Sequence, residues 1–323
     1  MLEHIFAVRK GRININIMKL KSVCFAVYNN GGALTTLYKK IVEELETNFP
    51  QYDFELLFIN DGSQDQSLAE ILKLKKETND NRIKIISFSK NFGQMAAILA
   101  GWHYAKGDVV INMAADLQDP PEQCVAMMKE WEKGSDVVIS YRKSHRTPLL
   151  NKITSRLFYK MLLPNVPPGG FDFALLGRNA MDAVNNIKER NRFYQYDILW
   201  VGFNVKFIPY DKLERSIGKS QYDFAKRFGH FMTAFINVSY LPLRLMSFLG
   251  FSFALAGLIY SLSIIHSYYF KATPFQGWAP IMMLLLIIGG LIMLMLGVLG
   301  EYIWRIFDEV KGRPNYIVKD EYL

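Results

Sequence analysis

The sequence lacks the short signatures that would identify a nucleotide-dependent or metal-dependent enzyme directly. Its 323 residues contain no Gly-Xaa-Gly-Xaa-Xaa-Gly, Walker A or His-Glu-Xaa-Xaa-His pattern, and no internal repeat. Only two cysteines are present, Cys24 and Cys124, and their spacing does not suit a metal. This predicts buried, reduced thiols rather than a disulfide framework or a zinc site. A functional site must therefore be sought in the loops between predicted strands and helices.

The N-terminal residues lack the long apolar core and the small-residue cleavage site of a signal peptide. Met18 directly precedes the first convincing strand, so residues 1–17 are interpreted as an N-terminal extension whose role stays open. The net charge of +8 is compatible with nucleic acid, a membrane surface or phosphorylated ligands as partners. The apolar segments near the C-terminus favour the last two and argue against nucleic acid.

Charged residues are missing from two long segments, 245–270 and 277–300. Each segment exceeds the ~20 residues needed to cross a bilayer, and the connection is short, so we expect a transmembrane hairpin over residues 244–305. Core helices of a soluble protein are the alternative. Basic residues flank the hairpin at both ends: Arg244, Arg305, Lys311 and Arg313. The positive-inside rule then predicts a multi-pass protein of the inner (plasma) membrane with a cytoplasmic N-terminal domain and a cytosolic tail, 306–323.

The segment before the hairpin, 222–243, carries phenylalanines at helical spacing with basic residues between them. The phenylalanines are Phe224, Phe228, Phe231 and Phe235. This pattern predicts an amphipathic helix lying in the membrane interface. A helix packed against the protein core is the alternative.

Between residues 18 and 221, strand-like apolar runs alternate with helical stripes. The alternation predicts an α/β domain with a mostly parallel sheet and helices on both faces. The loops YNNGG, NDGSQD, SKNFGQ and AADLQD each follow a predicted strand. Ligands of such sheets bind beyond the carboxyl ends of the strands, so we expect these loops to converge.

Carboxylates occupy two of these loops. Asp61 can accept hydrogen bonds from a nucleotide base or ribose, although a turn residue that caps the next helix is an equal alternative. Asp116, Gln118 and Asp119 present hard oxygen atoms that suit Mg²⁺ or Mn²⁺ bound with a diphosphate. A turn that leads into a helix opened by Pro120-Pro121 is the alternative there.

At this point the motifs are recognisable as an ordered set. They run FAVYNN, FINDGSQDQS, SKNFGQMAAILAG, AADLQDPPE, GGFDFALLGR, ERNRF, WVGF and GKSQY, and the tail GVLGEYIWRIFDEVKGRPNYIV follows. The chain resembles the polyprenyl-phosphate glycosyltransferases of glycosyltransferase family 2, such as bactoprenol glucosyltransferases and dolichyl-phosphate mannose synthases. The resemblance covers nearly everything from Met18 onward.

The resemblance implies a GT-A fold and inverting transfer of a sugar from a nucleotide diphosphate, expected to be UDP, to polyprenyl phosphate such as undecaprenyl phosphate. By position, Asp61 would hold the nucleotide, while Asp116 and Gln118 would bind the divalent cation and the diphosphate. Asp172 would lie near the reacting sugar or the acceptor, and it is grouped with Asp116 and Arg142 as catalytic. The remaining residues expected to bind substrate are Tyr28, Asn29, Asn91, Arg142, Arg156, Lys219 and Ser220. The resemblance also suggests a homo-oligomer, with a tetramer as the expected form.

The sequence departs from the family pattern at four positions. Ala114 stands where the family usually has the first Asp of Asp-Xaa-Asp, so one metal ligand or its support is missing. Ala174 replaces a common Arg, Gln221 a frequent Lys, and Asn60 a frequent Asp. Ala114 and Ala174 leave open a membrane-anchored protein that binds a nucleotide sugar without turnover. A processive polysaccharide synthase is a further alternative, but the sequence has neither the additional spans nor the Gln-Xaa-Xaa-Arg-Trp motif of that class.

Overall fold

Strands and helices alternate along the chain, as the apolar pattern predicts. The computed structural model describes residues 20–143, 166–167, 171–190, 192–213, 241–270 and 279–323. The first half contains β1 Leu20–Val27, α1 Leu34–Asn48, β2 Asp53–Asn60, α2 Ser67–Thr78, β3 Ile83–Phe88, α3 Gln94–Tyr104, β4 Val109–Ala114, α4 Pro121–Glu132 and β5 Val137–Arg142. The second half contains β6 Phe173–Gly177, α5 Arg178–Asn185, α6 Tyr194–Trp200, β7 Val205–Tyr210, α7 Leu241–Tyr269, α8 Ala279–Val310 and β8 Val318–Tyr322.

One mixed sheet organises the described residues, in the strand order β7-β5-β6-β4-β1-β2-β3-β8. Strands β1, β2, β3 and β4 pair in parallel, and β5 pairs in parallel with β7. The apolar stripe of α1, which includes Leu37 and Ile41, is buried on one face of the sheet. Helix α3 covers the other face with Trp102 fully buried. A mostly parallel sheet with a helical layer on each face is the predicted fold class, and it is confirmed.

Strand β6 runs antiparallel between β4 and β5. Because its direction is reversed, its first residues lie at the edge where β4 and β5 end, and Ala174 pairs with Asn112. Asp172, which directly precedes β6, is thereby brought to the carboxyl edge of the parallel strands. Tyr210, the last residue of β7, lies opposite Arg142 and reaches the same edge.

The opposite edge of the sheet, where the parallel strands begin, holds a buried carboxylate with many partners. Glu55 is 1 % exposed and accepts hydrogen bonds from the hydroxyl of Ser22, the amino group of Lys84 and the amides of Lys106 and Gly107. Although burial acts to raise the pKa of Glu55, these bonds and the Lys84 charge bring it below its ordinary value. We call this group the Glu55 network.

Helices α7 and α8 are each long and apolar enough to cross a bilayer, with qualifying segments Leu243–Tyr260 and Ile287–Val310. No residue of either segment is buried in the described structure, so neither helix resembles the core helix of a soluble protein. The helices extend beyond the predicted hairpin limits, because α7 begins at Leu241 and α8 ends at Val310. The predicted interface helix and the N-terminal extension lie outside the described residues.

The chain after α8 returns to the α/β domain. At the end of α8, Asp308 Oδ1 lies 2.8 Å from Nη1 of Arg190, and Glu309 accepts a hydrogen bond from the Arg190 amide. Strand β8 then pairs antiparallel with β3 at the edge of the sheet. The tail predicted as residues 306–323 thus contains a strand of the central sheet.

Candidate active site

The loops after β1 and β2 are tied together by side-chain hydrogen bonds at the carboxyl edge. Asn29 lies in the left-handed region with φ 53°, and its Oδ1 accepts a bond from the Gln64 amide. Its own amide donates to Oγ of Ser63. Tyr28 donates its amide to Oδ1 of Asn30. The predicted convergence of these two loops is confirmed, while substrate binding by Tyr28 and Asn29 stays a prediction.

Asp61 connects the end of β2 to the loop after β3. The residue is 2 % exposed, and its two carboxylate oxygens accept bonds from the amides of Phe92 (2.6 Å) and Gly93 (2.9 Å). Burial raises the pKa of Asp61 to about 6, although both amide bonds act to lower it. The carboxylate therefore supports the loop that carries Asn91. Direct contact of Asp61 or Asn91 with a nucleotide stays a prediction.

A tight approach at Gly62 explains why glycine follows Asp61. Its φ is +63°, and a Cβ atom there would lie 2.3 Å from the carbonyl carbon of Lys90. Any side chain would push the loop after β3 away from β2. Glycine is thus required for the two loops to meet at the site.

The turn after β4 carries the two predicted metal ligands, Asp116 and Gln118. Leu117 between them has φ 60°, and the Gln118 amide donates to Oδ1 of Asp116. The Gln118 carbonyl accepts a bond from the Leu213 amide at 2.9 Å, which fixes the turn against the chain after β7. Both side chains are half-buried. The turn therefore keeps two hard-oxygen side chains at the rim of the carboxyl edge, where a ligand can reach them.

Asp119 lies beneath this turn rather than on its surface. It is 1 % exposed, and its carboxylate accepts bonds from the Ala114 amide (3.1 Å) and the Tyr210 hydroxyl (2.8 Å). Lys212 Nζ lies 3.9 Å away. Burial raises the pKa of Asp119, while Lys212 and Tyr210 act in the opposite direction. Sequence reasoning had grouped Asp119 with the two predicted ligands, but its described contacts are those of a support for the turn.

Arg142 and Asp172 form an ion pair at the end of β5, with Nη2 and Oδ2 3.4 Å apart. Tyr194 donates its hydroxyl to the other oxygen of Asp172 at 3.0 Å, and Nε2 of Gln195 lies 3.5 Å from the same oxygen. Burial acts to lower the pKa of Arg142, but the Asp172 charge and Tyr210 raise it overall. The site therefore holds a permanent cation beside a positioned carboxylate.

The supports of this ion pair had not been found from the sequence. Tyr194, Gln195 and Tyr210 are buried, the first two in the short helix α6 and the third at the end of strand β7. No motif marks them. They are recognised only after β6 and β7 have been placed in the sheet.

Three of the four departures from the family pattern lie in strands of the sheet: Ala114 ends β4, while Ala174 and Asn60 are buried. Ala174 is fully buried in β6 and pairs with Asn112 and Ile139. Asn60 donates to Oγ of Ser87 and accepts the amide of Ser63. Both residues therefore pack within the described fold. Arg156, Lys219, Ser220 and Gln221 lie outside the described residues.

The residues at this edge supply only some of the ligands that a divalent cation needs. Among the described residues, no group of three or more His, Cys, Asp or Glu side chains is placed to hold a metal. Asp116 and Gln118 offer two oxygen ligands of the type Mg²⁺ and Mn²⁺ prefer. A complete shell needs oxygens from elsewhere, and a diphosphate with water has the right chemistry to supply them.

Comparison with known proteins assigns the family. The model of glycosyl transferase family 2 matches residues 22–193, which run from β1 to the residue before α6. The chain belongs to glycosyl transferase family 2. It is therefore a glycosyltransferase, and its sheet with the converging carboxyl-edge loops is the GT-A fold.

Relatives in this family match almost the whole chain. The glycosyltransferase YkcC of Bacillus subtilis is 36 % identical over 306 residues, covering 93 % of this chain and 94 % of the relative. The bactoprenol glucosyl transferase of Shigella phage SfII is 32 % identical over 303 residues, covering 92 % and 97 %. The matches therefore include much of the chain beyond the family domain.

Among solved structures, the mannosyltransferase PcManGT of Pyrobaculum calidifontis, in complex with GDP-Man and Mn²⁺, aligns with a TM-score of 0.48. It is 14 % identical, and the alignment covers 68 % of this chain and 64 % of the mannosyltransferase.

Proposed function

We propose that this glycosyltransferase moves a sugar from a nucleotide-diphosphate sugar, preferentially a UDP-sugar, to a polyprenyl phosphate such as undecaprenyl phosphate, with inversion. The observation that carries the proposal is the 32 % identity to a bactoprenol glucosyl transferase over 92 % of the chain. The two exposed apolar helices support a lipid substrate, since they suit a protein held at a membrane. The product would serve the modification of a cell-envelope glycan.

The acceptor chemistry explains the absence of a strong general base from the proposed machinery. A phosphate monoester has a second pKa of about 6, so it is already an anionic nucleophile at neutral pH. Its oxygen attacks the anomeric carbon as the bond from that carbon to the diphosphate breaks, and the bonding electrons leave with the nucleoside diphosphate. The main tasks of the protein are then to position the reactants and to offset negative charge.

The described residues divide these tasks. Arg142 supplies a fixed positive charge for phosphate oxygens, and Asp172 orients Arg142 and faces the sugar or the acceptor. Asp116 and Gln118 would hold the divalent cation, which when bound supplies positive charge to the departing diphosphate. Asp61 maintains the loop on the nucleotide side, with Asn91 near the bound nucleotide.

The proposed location is the inner (plasma) membrane, with the catalytic domain on the cytoplasmic side. Basic residues at the ends of the apolar helices support this orientation, since positive charge favours the cytoplasmic side. A homo-oligomer, in the form of a tetramer, stays a prediction that chemical crosslinking in membranes would test.

The decisive experiment is nucleotide release by detergent-purified protein. The protein would be incubated with undecaprenyl phosphate, Mg²⁺ or Mn²⁺, and a panel of UDP- and GDP-sugars, with and without EDTA. We expect release from one sugar donor, dependent on the lipid and abolished by EDTA. Release that survives EDTA would remove the metal from the mechanism. Release from no donor would favour the alternative that Ala114 motivates, a protein that binds a nucleotide sugar without turnover.

A further inference from the structure

A small cleft lies at the carboxyl edge, beneath the start of α3 and beside the ends of β1 and β4. Its walls are mostly the apolar side chains of these elements, and Ala114 is one of them. Its polar lining comes from Gln94, Asn112 and Asp172. The cleft has room for about one water-sized group, which is also the size of one hydroxyl group.

Asn112 has an unusual position for an amide side chain. It lies in the central strand β4 and is 2 % exposed. Its Nδ2 donates to the backbone carbonyl of Asp172 at 2.5 Å. Because a carbonyl oxygen can only accept, this bond decides which end of the amide is which. The Oδ1 atom therefore points away from that bond.

The Oδ1 atom of Asn112 is a buried acceptor without a hydrogen-bond partner in the described part of the chain. Such atoms are rare in folded proteins, because burial removes their bonds to water. The same residue lines the cleft. A donor that enters the cleft would satisfy this acceptor.

The chemistry of the cleft selects the kind of donor. Asn112 Oδ1 and the Asp172 carboxylate are both acceptors, so a phosphate oxygen or a sugar carboxylate would meet oxygen with oxygen at two of the three polar residues, and only the Gln94 amide has a group that can donate to it. A neutral hydroxyl group can donate to either acceptor. Ala114 adds a methyl group where a carboxylate would bring another negative charge beside Asp116. A sugar hydroxyl fits these conditions, and the proposed sugar donor brings several of them to this edge.

We propose that Oδ1 of Asn112 accepts a hydrogen bond from one hydroxyl group of the transferred sugar, which makes Asn112 a specificity-determining residue. The inference rests on the proposed function, because it assumes that a nucleotide sugar binds at this edge. Asn112 also connects two parts of the site, since its Nδ2 holds the backbone of Asp172 while its Oδ1 contacts the sugar. A buried water on Oδ1 that the sugar never displaces is the alternative outcome.

The test removes the hydroxyl from the substrate and the acceptor from the protein in turn. UDP-glucose and its 2-, 3-, 4- and 6-deoxy analogues serve as probes, since the phage relative is named a glucosyl transferase. We expect wild type to lose about 10- to 100-fold in kcat/KM with one analogue, as for a buried polar group left unpaired. In Asn112→Ala that same loss should shrink to about 3-fold or less, while the ratios for the other analogues stay unchanged.

Cys24→Ala is the matched control. Cys24 pairs with Asn112 across β1 and β4 and lines the same cleft. Its substitution enlarges the cleft without removing the amide acceptor, so Cys24→Ala should discriminate between UDP-glucose and that deoxy analogue as strongly as wild type does. If the ratio of kcat/KM between UDP-glucose and each analogue is the same in wild type and Asn112→Ala, the proposal is overturned. Oδ1 of Asn112 would then be bonded to a buried water instead of the sugar. Indifference of wild type to every missing hydroxyl would overturn it without any variant.

Binding measurements separate this proposal from the proposed function. Calorimetry measures Kd for the same sugar donors without turnover. We expect the ratio of Kd between each deoxy analogue and UDP-glucose to show the same pattern as the ratio of kcat/KM. If UDP-glucose binds but no nucleotide is released, the proposed function fails while the Kd ratios still decide the role of Asn112. If the protein binds neither UDP-glucose nor any other sugar donor of the panel, both proposals fail.

Discussion

The two edges of the central sheet hold buried carboxylates whose pKa values are shifted in opposite directions. At the edge where the parallel strands begin, Glu55 is paired with Lys84, and its pKa lies below the ordinary value. At the edge where they end, Asp61 and Asp119 are just as buried, yet their pKa values are raised. The difference lies in the partners. The Glu55 network includes a cation within bonding distance, whereas Asp61 has two backbone amides and Asp119 has a phenol with Lys212 3.9 Å away.

This comparison separates charges that hold the fold together from charges that prepare a site. A buried carboxylate with a close cation and several donors is stabilised in its ionised form. A buried carboxylate without a close cation is destabilised in its ionised form, so its pKa is raised. Shifted pKa values of this kind are common at functional sites. We therefore expect substitutions at the two edges to affect different measurable properties.

The largest effect is expected at the carboxyl edge. Asp116→Ala removes the carboxylate proposed to hold the cation, and nucleotide release should fall by about 100- to 1000-fold. The thermal unfolding midpoint in detergent should stay close to that of wild type, because Asp116 is half-buried at the rim. Asp53→Ala is the control, since Asp53 is an exposed residue at the start of β2. Full turnover by Asp116→Ala would remove this residue from the mechanism.

The second effect is expected at the opposite edge. Glu55→Gln keeps the shape of the side chain but leaves Lys84 without its charged partner, so the free energy of unfolding should fall by about 3 kcal/mol. Denaturant titration in detergent measures this loss. The kcat of the folded fraction should stay near the wild-type value. A variant of unchanged stability that has lost turnover would contradict the division between the two edges.

The smallest effect is a difference in pH dependence. The pKa of Asp61 is about 6, against an ordinary value of 3.8, so folding favours its protonated form. Its contribution to stability is greatest below pH 3.8 and is lost as the pH rises through 6, with a change on the order of 2 kcal/mol. Glu55 has the opposite sign, because its lowered pKa gives stability that is lost as the pH falls.

Unfolding midpoints of wild type and Asp61→Asn, measured from pH 4 to pH 7, test this sign. In Asp61→Asn the decline of the unfolding midpoint that Asp61 causes as the pH rises should be absent, because Asn does not titrate in this range. This holds whatever the absolute stability of the variant. An identical pH slope in the two proteins would show that Asp61 titrates near its ordinary pKa.

The sequence predicts the carboxyl edge well because its elements are local. The apolar runs that became β1 to β5 end in turn residues, and parallel pairing then brings their loops together. The turn with Asp116 and Gln118 was found for this reason. Gly62 and the φ of Asn29 belong to the same local chemistry.

The sequence does not predict which distant side chains meet. Asn112 and Tyr210 read as strand residues, and only the antiparallel placement of β6 and the pairing of β5 with β7 reveal what they contact. Asp119 shares its motif with Asp116, yet burial turns it toward Tyr210 and the Ala114 amide. Strand β8 has the sequence VKDEY with no strict apolar alternation, so its pairing with β3 has no local signal.

The place of β8 in the chain sets an order of events during biosynthesis. The ribosome makes β8 only after it has made α7 and α8. Until then the outer edge of β3 presents unpaired backbone groups, which can pair with any other extended chain. If α7 and α8 span the membrane as proposed, completion of the sheet is coupled to their insertion. In a nascent chain that is stalled before Val318, β3 has no partner strand at the edge of the sheet farthest from β7.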